Sequence, residues 1–371
     1  MATDYLIRVI LIVTTTFSIS ALLMPYIIKI AHHIGALDIP RDEQGNRHIH
    51  KKVTPKFGGM GIFISFLIGY ILFGVHSVQM NAILIGSFFI ILTGMIDDIN
   101  SLTPKQQLIG QTAAALVIIF YGGITLNHIT AFGYDIQFGI LSYPITLFFI
   151  LGCTNVIRLI DGLDGLSGGI SSIFFLTIGI IAFLQQRFGT LEITLTFIML
   201  GSTLGFLVYN FNPAKTFAGE TGATFMGFII SVISLLGFKG ALLTSVIVPL
   251  LILAIPILDT LFAIIRRIIK HKPISEGDKD HTHHQFLKMN FSQRKTVLII
   301  YVINILFSIA AIIYTIKNAK LGIFIYIILF VLVVWFILHT SIISDKIETK
   351  TKTIEKKSLE KLSMKKKKNK K

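Results

Sequence analysis

Apolar residues along this chain come in long blocks, unlike the short alternations of a half-buried strand or the three-and-four spacing of an amphipathic surface helix. Polar and charged residues collect in the gaps between blocks. At 1.5 Å rise per residue, a helix needs about 20 residues to cross roughly 30 Å of hydrocarbon. Blocks of about that length lie near 5–28, 58–75, 81–96, 107–123, 140–156, 168–186, 190–209, 217–237, 240–265, 296–316 and 321–344. The pattern predicts an all-α polytopic membrane protein with about eleven transmembrane helices. The fourth block is short, and the ninth contains Pro249 and Pro256, each of which removes a donor from the helical ladder. One gap differs from the others. Between Ile124 and Gly139, the residues Asn127, Gly133 and Asp135 punctuate short β-favouring pieces, which predicts a small hairpin.

Composition agrees with a chain that lives in lipid: of 371 residues, 53% are hydrophobic and 14% charged, which disfavours a pair of soluble domains. The 30 glycines suit helices that approach one another closely. Cys153 is the sole cysteine, excluding an intramolecular disulfide and a cysteine-based zinc site. The first block is too long for a signal-peptide core and lacks a basic leader and a small-residue cleavage site, so it is expected to be retained. The net charge of +15 raises nucleic acid as a partner, but the bases are not interleaved with stacking aromatics, and topology accounts for them instead. Of the 34 Lys and Arg residues, 29 fall in gaps that follow odd-numbered blocks or in the tail; Arg8, Arg187, Lys239, Lys317 and Lys320 fall on the other side. The positive-inside rule then puts the N-terminus outside, the hairpin outside and the C-terminus in the cytoplasm. The chain divides into an integral membrane domain, residues 1–345, and a Lys-rich cytoplasmic tail, residues 346–371. A tail of this kind is a disordered solvated run or one held against anionic lipid.

The same count places three acidic motifs on the cytoplasmic face: Asp97-Asp98, Asp161-Gly-Leu-Asp164-Gly165 and Gly219-Glu220-Thr-Gly222. Carboxylates are costly near a bilayer and are kept there to hold a metal or move a proton. Adjacent Asp97 and Asp98 repel, so one takes up a proton unless a divalent cation or a base neutralises the pair; a solvated helix end is the plainer alternative. Asp161 and Asp164, three apart, can share one helical face, while the glycines beside them let backbone amides approach an anion. Hard oxygen donors with many cytoplasmic bases suit magnesium or manganese and a phosphorylated substrate. Glu220 opens the eighth block just after Lys215, where a helix N-terminus adds positive potential for a phosphate, or where the carboxylate takes the metal. His281, His283 and His284, near Arg266, Arg267, Lys270 and Lys272, read as phosphate contacts in preference to a zinc site.

The order Arg47-His-Ile-His50, Pro55-Lys-Phe-Gly-Gly59, Asp97-Asp98, Asn155 through Asp161-Gly-Leu-Asp164-Gly-Leu166, Asn210-Phe-Asn-Pro-Ala-Lys215, Ile257-Leu-Asp259-Thr-Leu261 and His281-Thr-His-His284 resembles the polyprenyl-phosphate N-acetylhexosamine-1-phosphate transferases. The resemblance covers about residues 5–345 and looks closest to the branch that initiates wall teichoic acid synthesis in Gram-positive bacteria. It implies a bacterial cell-membrane enzyme that transfers GlcNAc-1-phosphate from UDP-GlcNAc to undecaprenyl phosphate with magnesium, its site facing the cytoplasm. On that resemblance Asp97 is the base that readies the lipid phosphate, Asp98 assists, and Asp161 and Asp164 hold nucleotide and metal geometry. Glu220, Asp98 and Asp164 stand as metal ligands, and Asn155, Arg158, Lys215, His50, His281, His283, His284 and Arg266 as substrate contacts. Two positions depart from the family pattern: Arg158 stands where Asn is usual, and Glu220 where a metal-binding Asp is usual. Glu reaches one carbon farther than Asp, and Arg158 brings a fixed cation able to hold a phosphate or to compete with the metal for Asp161. Two classes of function therefore stay open, an active transferase and a catalytically silent relative that binds lipid phosphate or nucleotide sugar. Oligomeric state is open too, a homodimer included.

Overall fold

A computed structural model of the chain describes residues 2–39, 53–131, 134–187, 189–239, 247–269, 286–287, 289, 291–316, 318–336 and 339. The protein is an all-α polytopic membrane protein. Its helices are α1 (Ala2–Ile34), α2 (Gly58–Phe73), α3 (Val78–Ile99), α4 (Pro104–Leu116), α5 (Ser142–Leu159), α6 (Leu166–Leu184), α7 (Leu191–Asn210), α8 (Gly219–Lys239), α9 (Ile247–Ile252), α10 (Ala254–Ile269), α11 (Gln293–Ile316) and α12 (Ala319–Phe336). Among the described residues, 8 helices are long and apolar enough to cross a membrane, and Gly58–Phe73 and Ala254–Ile265 are shorter apolar helices.

Two expected spans are built differently from the simple helices that the blocks suggest. The fourth begins as α4, with Pro104 at its start and a capping box in which Thr103 and Gln106 satisfy each other's backbone groups. It then widens into a π-helical turn over Val117–Tyr121, with Gly122 N donating to Val117 O at 3.0 Å. The wider winding lets the successive residues Ile118 and Ile119 both face the interior. The ninth breaks at Leu253 between α9 and α10, because Pro256 has no N–H to give to the Ile252 carbonyl; residues 240–246 of that block lie outside the described residues. The hairpin is present: strand His128–Ala131 pairs antiparallel with Tyr134–Gln137, His128 opposite Gln137 and Ala131 opposite Tyr134. The tail, 346–371, lies outside the described residues.

Helix α8 is the axis of the bundle. It packs on α2, α3 and α5 and also meets α6 and α7, while α1 packs on α2 and α7, and α6 on α7 and α11. Of the most apolar stretch of α8, 89% is buried inside the protein, against 6% for α12, which places α12 at the periphery. Close packing around α8 depends on glycine. A methyl group at Gly59 would overlap the backbone of Thr221 and Gly222, so α2 can lie against the start of α8 only without a side chain there. Gly59→Ala is therefore expected to cost about 1–3 kcal/mol as overpacking and to lower the thermal midpoint in detergent by several degrees. Gly152→Ala on α5, where an added methyl meets nothing within 4 Å, should not lower the midpoint and serves as the control.

Candidate active site

The polar end of the bundle is organised by chain segments that hydrogen-bond side by side. The two-residue strand Leu37–Asp38 pairs antiparallel with Thr54–Pro55. On its other flank the same segment is tied to the loop before α8: Phe217 N donates to Pro55 O at 2.8 Å, Gly58 N to Phe217 O at 2.9 Å and Gly59 N to Ala218 O at 2.9 Å. Lys56 is carried between them into a cavity of ≈ 550 Å³, whose lining includes Asp38, Lys56, Asp97, Asp98, Ser101, Arg158, Asp161, Asn210 and Glu220. Five acidic side chains thus face two basic ones.

Asp97 and Asp98, adjacent in the last turn of α3, have different surroundings. Asp97 Oδ1 accepts from Leu102 N at 2.6 Å and from Gln107 Nε2 at 2.9 Å, which fixes the carboxylate and leaves its second oxygen to the cavity. Asp98, 1% exposed, is used up at the start of α8: Oδ1 accepts from Glu220 N at 2.8 Å, and Oδ2 accepts from Thr221 N at 3.1 Å and from Thr221 Oγ1 at 2.6 Å. These are the unpaired donors of a helix N-terminus, where a carboxylate also meets the positive end of the helix dipole. The chain reaches that position through Gly219 at φ 70°, and a side chain there would collide with Asp98 itself.

The turn between α5 and α6 sends its two acids in different directions. Asp161 enters the cavity and accepts a hydrogen bond from Ser167 Oγ, with Ser167 in the first turn of α6. Desolvation pushes its carboxyl up to about 7; the charges of Glu220 and Asp164 push the same way, and the Ser167 hydroxyl opposes them. Asp164 is buried and turns toward the loop after α7, where its Oδ2 accepts from Asn212 Nδ2 at 2.7 Å and from Ala214 N at 3.0 Å. Asn210 supports the same junction, accepting from Gly165 N at 3.0 Å and donating to Thr216 O at 2.9 Å.

The two positions that depart from the family pattern meet each other. Arg158 Nε, from the last turn of α5, donates to Glu220 Oε2, from the first turn of α8, in a direct ion pair. Arg158 Nη1 lies 3.5 Å from Asn155 Oδ1, and Asn155 donates to Gln111 Oε1 at 2.7 Å. The competition of Arg158 for Asp161 allowed by the sequence is not what the fold shows. Its partner is Glu220.

Of the residues singled out in the sequence, the structure brings Asp97, Asp98, Arg158, Asp161 and Glu220 around one cavity. It does not place Asp164, Asn155 or Lys215 in that lining; Lys215 is exposed, its ammonium 5.5 Å from the Tyr209 ring. His50, His281, His283 and His284 lie outside the described residues, and Arg266 belongs to α10. Lys56, Asp38, Ser101 and Asn210 are lining residues that sequence reasoning did not single out as site residues. Lys56 and Asn210 sit inside the Pro55–Gly59 and Asn210–Lys215 motifs, which was the available signal. Asp38 carried none, being one acid in a short gap whose pairing with Thr54 is a tertiary event.

A magnesium ion can be tested against these residues. Its chemistry asks for hard oxygen donors, and the excess of carboxylates around one cavity supplies them. Among the described residues no group of three or more such side chains is gathered around a single point; Glu220 is drawn to Arg158 and both oxygens of Asp98 are occupied by α8. The donor types suit a magnesium ion, but among the described residues the carboxylates as they stand, including the expected ligands Asp98 and Asp164, are not gathered into a site for it.

A helical membrane bundle whose polar end closes around a cavity of five carboxylates and two cations has the form of a membrane enzyme's site. Residues 80–238 match the family model "Glycosyl transferase family 4". The chain is 38% identical over 355 residues, 95% of this chain and 98% of the relative, to a probable undecaprenyl-phosphate N-acetylglucosaminyl 1-phosphate transferase of Bacillus subtilis (strain 168). It is 29% identical over 321 residues, 80% of this chain and 94% of the relative, to the phospho-N-acetylmuramoyl-pentapeptide-transferases of Bacillus anthracis (strain A0248) and Bacillus thuringiensis (strain Al Hakam). The chain belongs to the polyprenyl-phosphate N-acetylhexosamine-1-phosphate transferases of glycosyl transferase family 4.

Proposed function

We propose that this protein transfers GlcNAc-1-phosphate from UDP-GlcNAc to undecaprenyl phosphate, releasing UMP and leaving undecaprenyl-pyrophosphoryl-GlcNAc, the first membrane step of a teichoic acid-like cell-wall polymer. The observation that carries the reading is the near full-length 38% identity to the Bacillus subtilis enzyme, combined with a cavity that gathers the family's acidic motifs. In the reaction an oxygen of the lipid phosphate attacks the phosphorus that bears the sugar, a new P–O–P bridge forms, and the bond to UMP breaks. Lys56 and Arg158 bind phosphate oxygens in the cavity. Asp97, anchored through one oxygen, takes the proton from the lipid phosphate with the other. Asp161 and Glu220 would hold a magnesium ion, whose contribution when bound is to neutralise charge on the diphosphate. Asp98 and Asp164 act one step removed, as positioning residues that set the start of α8 and the loop after α7. The distribution of basic residues supports a cavity that opens to the cytoplasm, where a nucleotide sugar is found, at the level where a membrane lipid presents its head group.

The test is UMP release by the purified protein given UDP-GlcNAc and undecaprenyl phosphate. Release is expected with magnesium or manganese, to stop on chelation with EDTA and to need the lipid. A protein that binds UDP-GlcNAc but releases no UMP under any of these conditions would be the silent relative instead.

A further inference from the structure

Arg158 and Glu220 are 62 residues apart in sequence and come from different helices, yet they form a direct salt bridge at the cavity. The contact is single-pointed, Nε to Oε2. Among the described residues Nη2 of Arg158 and Oε1 of Glu220 have no hydrogen-bond partner, and the two side chains keep 24% and 28% of their surface exposed. Such a part-buried pair rests on one contact and leaves guanidinium donors open to a better acceptor. The other carboxylates of the site are anchored differently: Asp97 by an amide N–H and the Gln107 side chain, Asp98 by the start of α8, Asp161 by Ser167. Of these four, Glu220 is the one whose described side-chain partner is a cation.

We propose that Arg158 is an exchangeable latch on Glu220, which a diphosphate releases so that Glu220 becomes available to a divalent cation. The inference rests on the transferase reading and adds an order and a coupling to it. A guanidinium offers five donors in a planar fork, and phosphate oxygens fill that fork better than the single carboxylate oxygen it meets here. An incoming diphosphate therefore draws Arg158 off Glu220. Glu220 is then left facing Asp97 and Asp161 without its counter-charge, and the cavity gains affinity for a divalent cation. Before the nucleotide arrives the same pair keeps the cation loosely held. Because coupling between two ligands is reciprocal, cation and diphosphate each strengthen the other through this one exchange.

The test uses the full-length protein in lipid nanodiscs and reads binding. Mn2+ alone is followed by the loss of its free electron paramagnetic resonance signal, and UDP alone is titrated calorimetrically in EDTA. Arg158→Gln is expected to bind Mn2+ roughly tenfold tighter and UDP roughly tenfold weaker than the unmodified protein. Glu220→Gln should shift both the other way, with weaker Mn2+ and tighter UDP. Opposite signs for the two ligands in each variant are what a latch requires; a pair that merely braces the fold would weaken both. Arg158→Gln that leaves Mn2+ affinity unchanged or lower, or Glu220→Gln that weakens UDP, overturns the latch. Should either glutamine variant fail to fold, Arg158→Lys decides: it keeps a charge for Glu220 but loses the fork, so Mn2+ binding stays near that of the unmodified protein and UDP binding falls. Unchanged UDP binding in that variant overturns the proposal. A protein that releases UMP while the variants lack these signs loses the latch alone, whereas one that neither binds UDP nor releases UMP loses the transferase reading as well.

Discussion

Replacing Asp97 with asparagine is expected to lower the turnover of UMP release by about 10³-fold, within the range that a positioned acid or base supplies, while the protein stays folded. The reason lies in how the side chain is held. Oδ1 takes both of its hydrogen bonds, from Leu102 N and Gln107 Nε2, and the oxygen of an asparagine accepts both in the same place. What the substitution removes is the basicity of the oxygen that faces the cavity. Thermal unfolding should shift by no more than a degree or two, and UDP should still bind. The measurement is turnover at saturating UDP-GlcNAc and lipid beside a melting curve of the same preparation. A variant that keeps more than a tenth of the activity would move the base elsewhere, with Asp161 the next to examine.

One residue along, Asp98→Ala should behave in the opposite way and damage the fold first. Its carboxylate receives two backbone N–H groups and one hydroxyl from Glu220 and Thr221, all at a site with almost no access to solvent. Removing it strands three buried donors at the start of α8, the most enclosed of the eight long apolar helices among the described residues. Each stranded donor costs roughly 1–3 kcal/mol; relaxation and water entry offset part of the sum, and a loss of about 3–5 kcal/mol is expected, the scale seen when a partnered buried charge is deleted. Because the same turn carries Glu220, activity falls with the midpoint. Asp98→Asn keeps one acceptor oxygen and should recover part of the stability. An alanine variant that melts with the unmodified protein would show that α8 does not depend on this cap.

These two aspartates show where reading the sequence stops. As neighbours in one acidic pair they are indistinguishable in composition, charge and span position, and both were expected at the reacting centre. Only the arrival of α8 at the end of α3 separates them, since the start of α8 lies over Asp98 and leaves one oxygen of Asp97 facing the cavity. Asp161 and Asp164 divide for the same reason, one meeting Ser167 and the cavity, the other the loop at Asn212. Lys56, quoted only as part of a motif, was not named as a site residue because its value comes from a segment clamped between a two-residue strand and the loop before α8, and neither neighbour is close in sequence. The pairing of Arg158 with Glu220 was equally hidden. Each departure from the family pattern was read by itself, and in the fold the two form a complementary charge pair.

The membrane class, the blocks that become helices, the hairpin near His128 and the gathering of the acidic motifs at one end of the bundle were all legible from the chain. Each is set by something local or by counting: bilayer thickness fixes block length, glycine and asparagine mark the turn, and each crossing reverses the side on which the next gap falls. What the tertiary structure decided is which oxygen of which carboxylate is free. That depends on placements of about an ångström between helices far apart in sequence, because a hydrogen bond is made or lost over that distance and no pattern along a single chain records it.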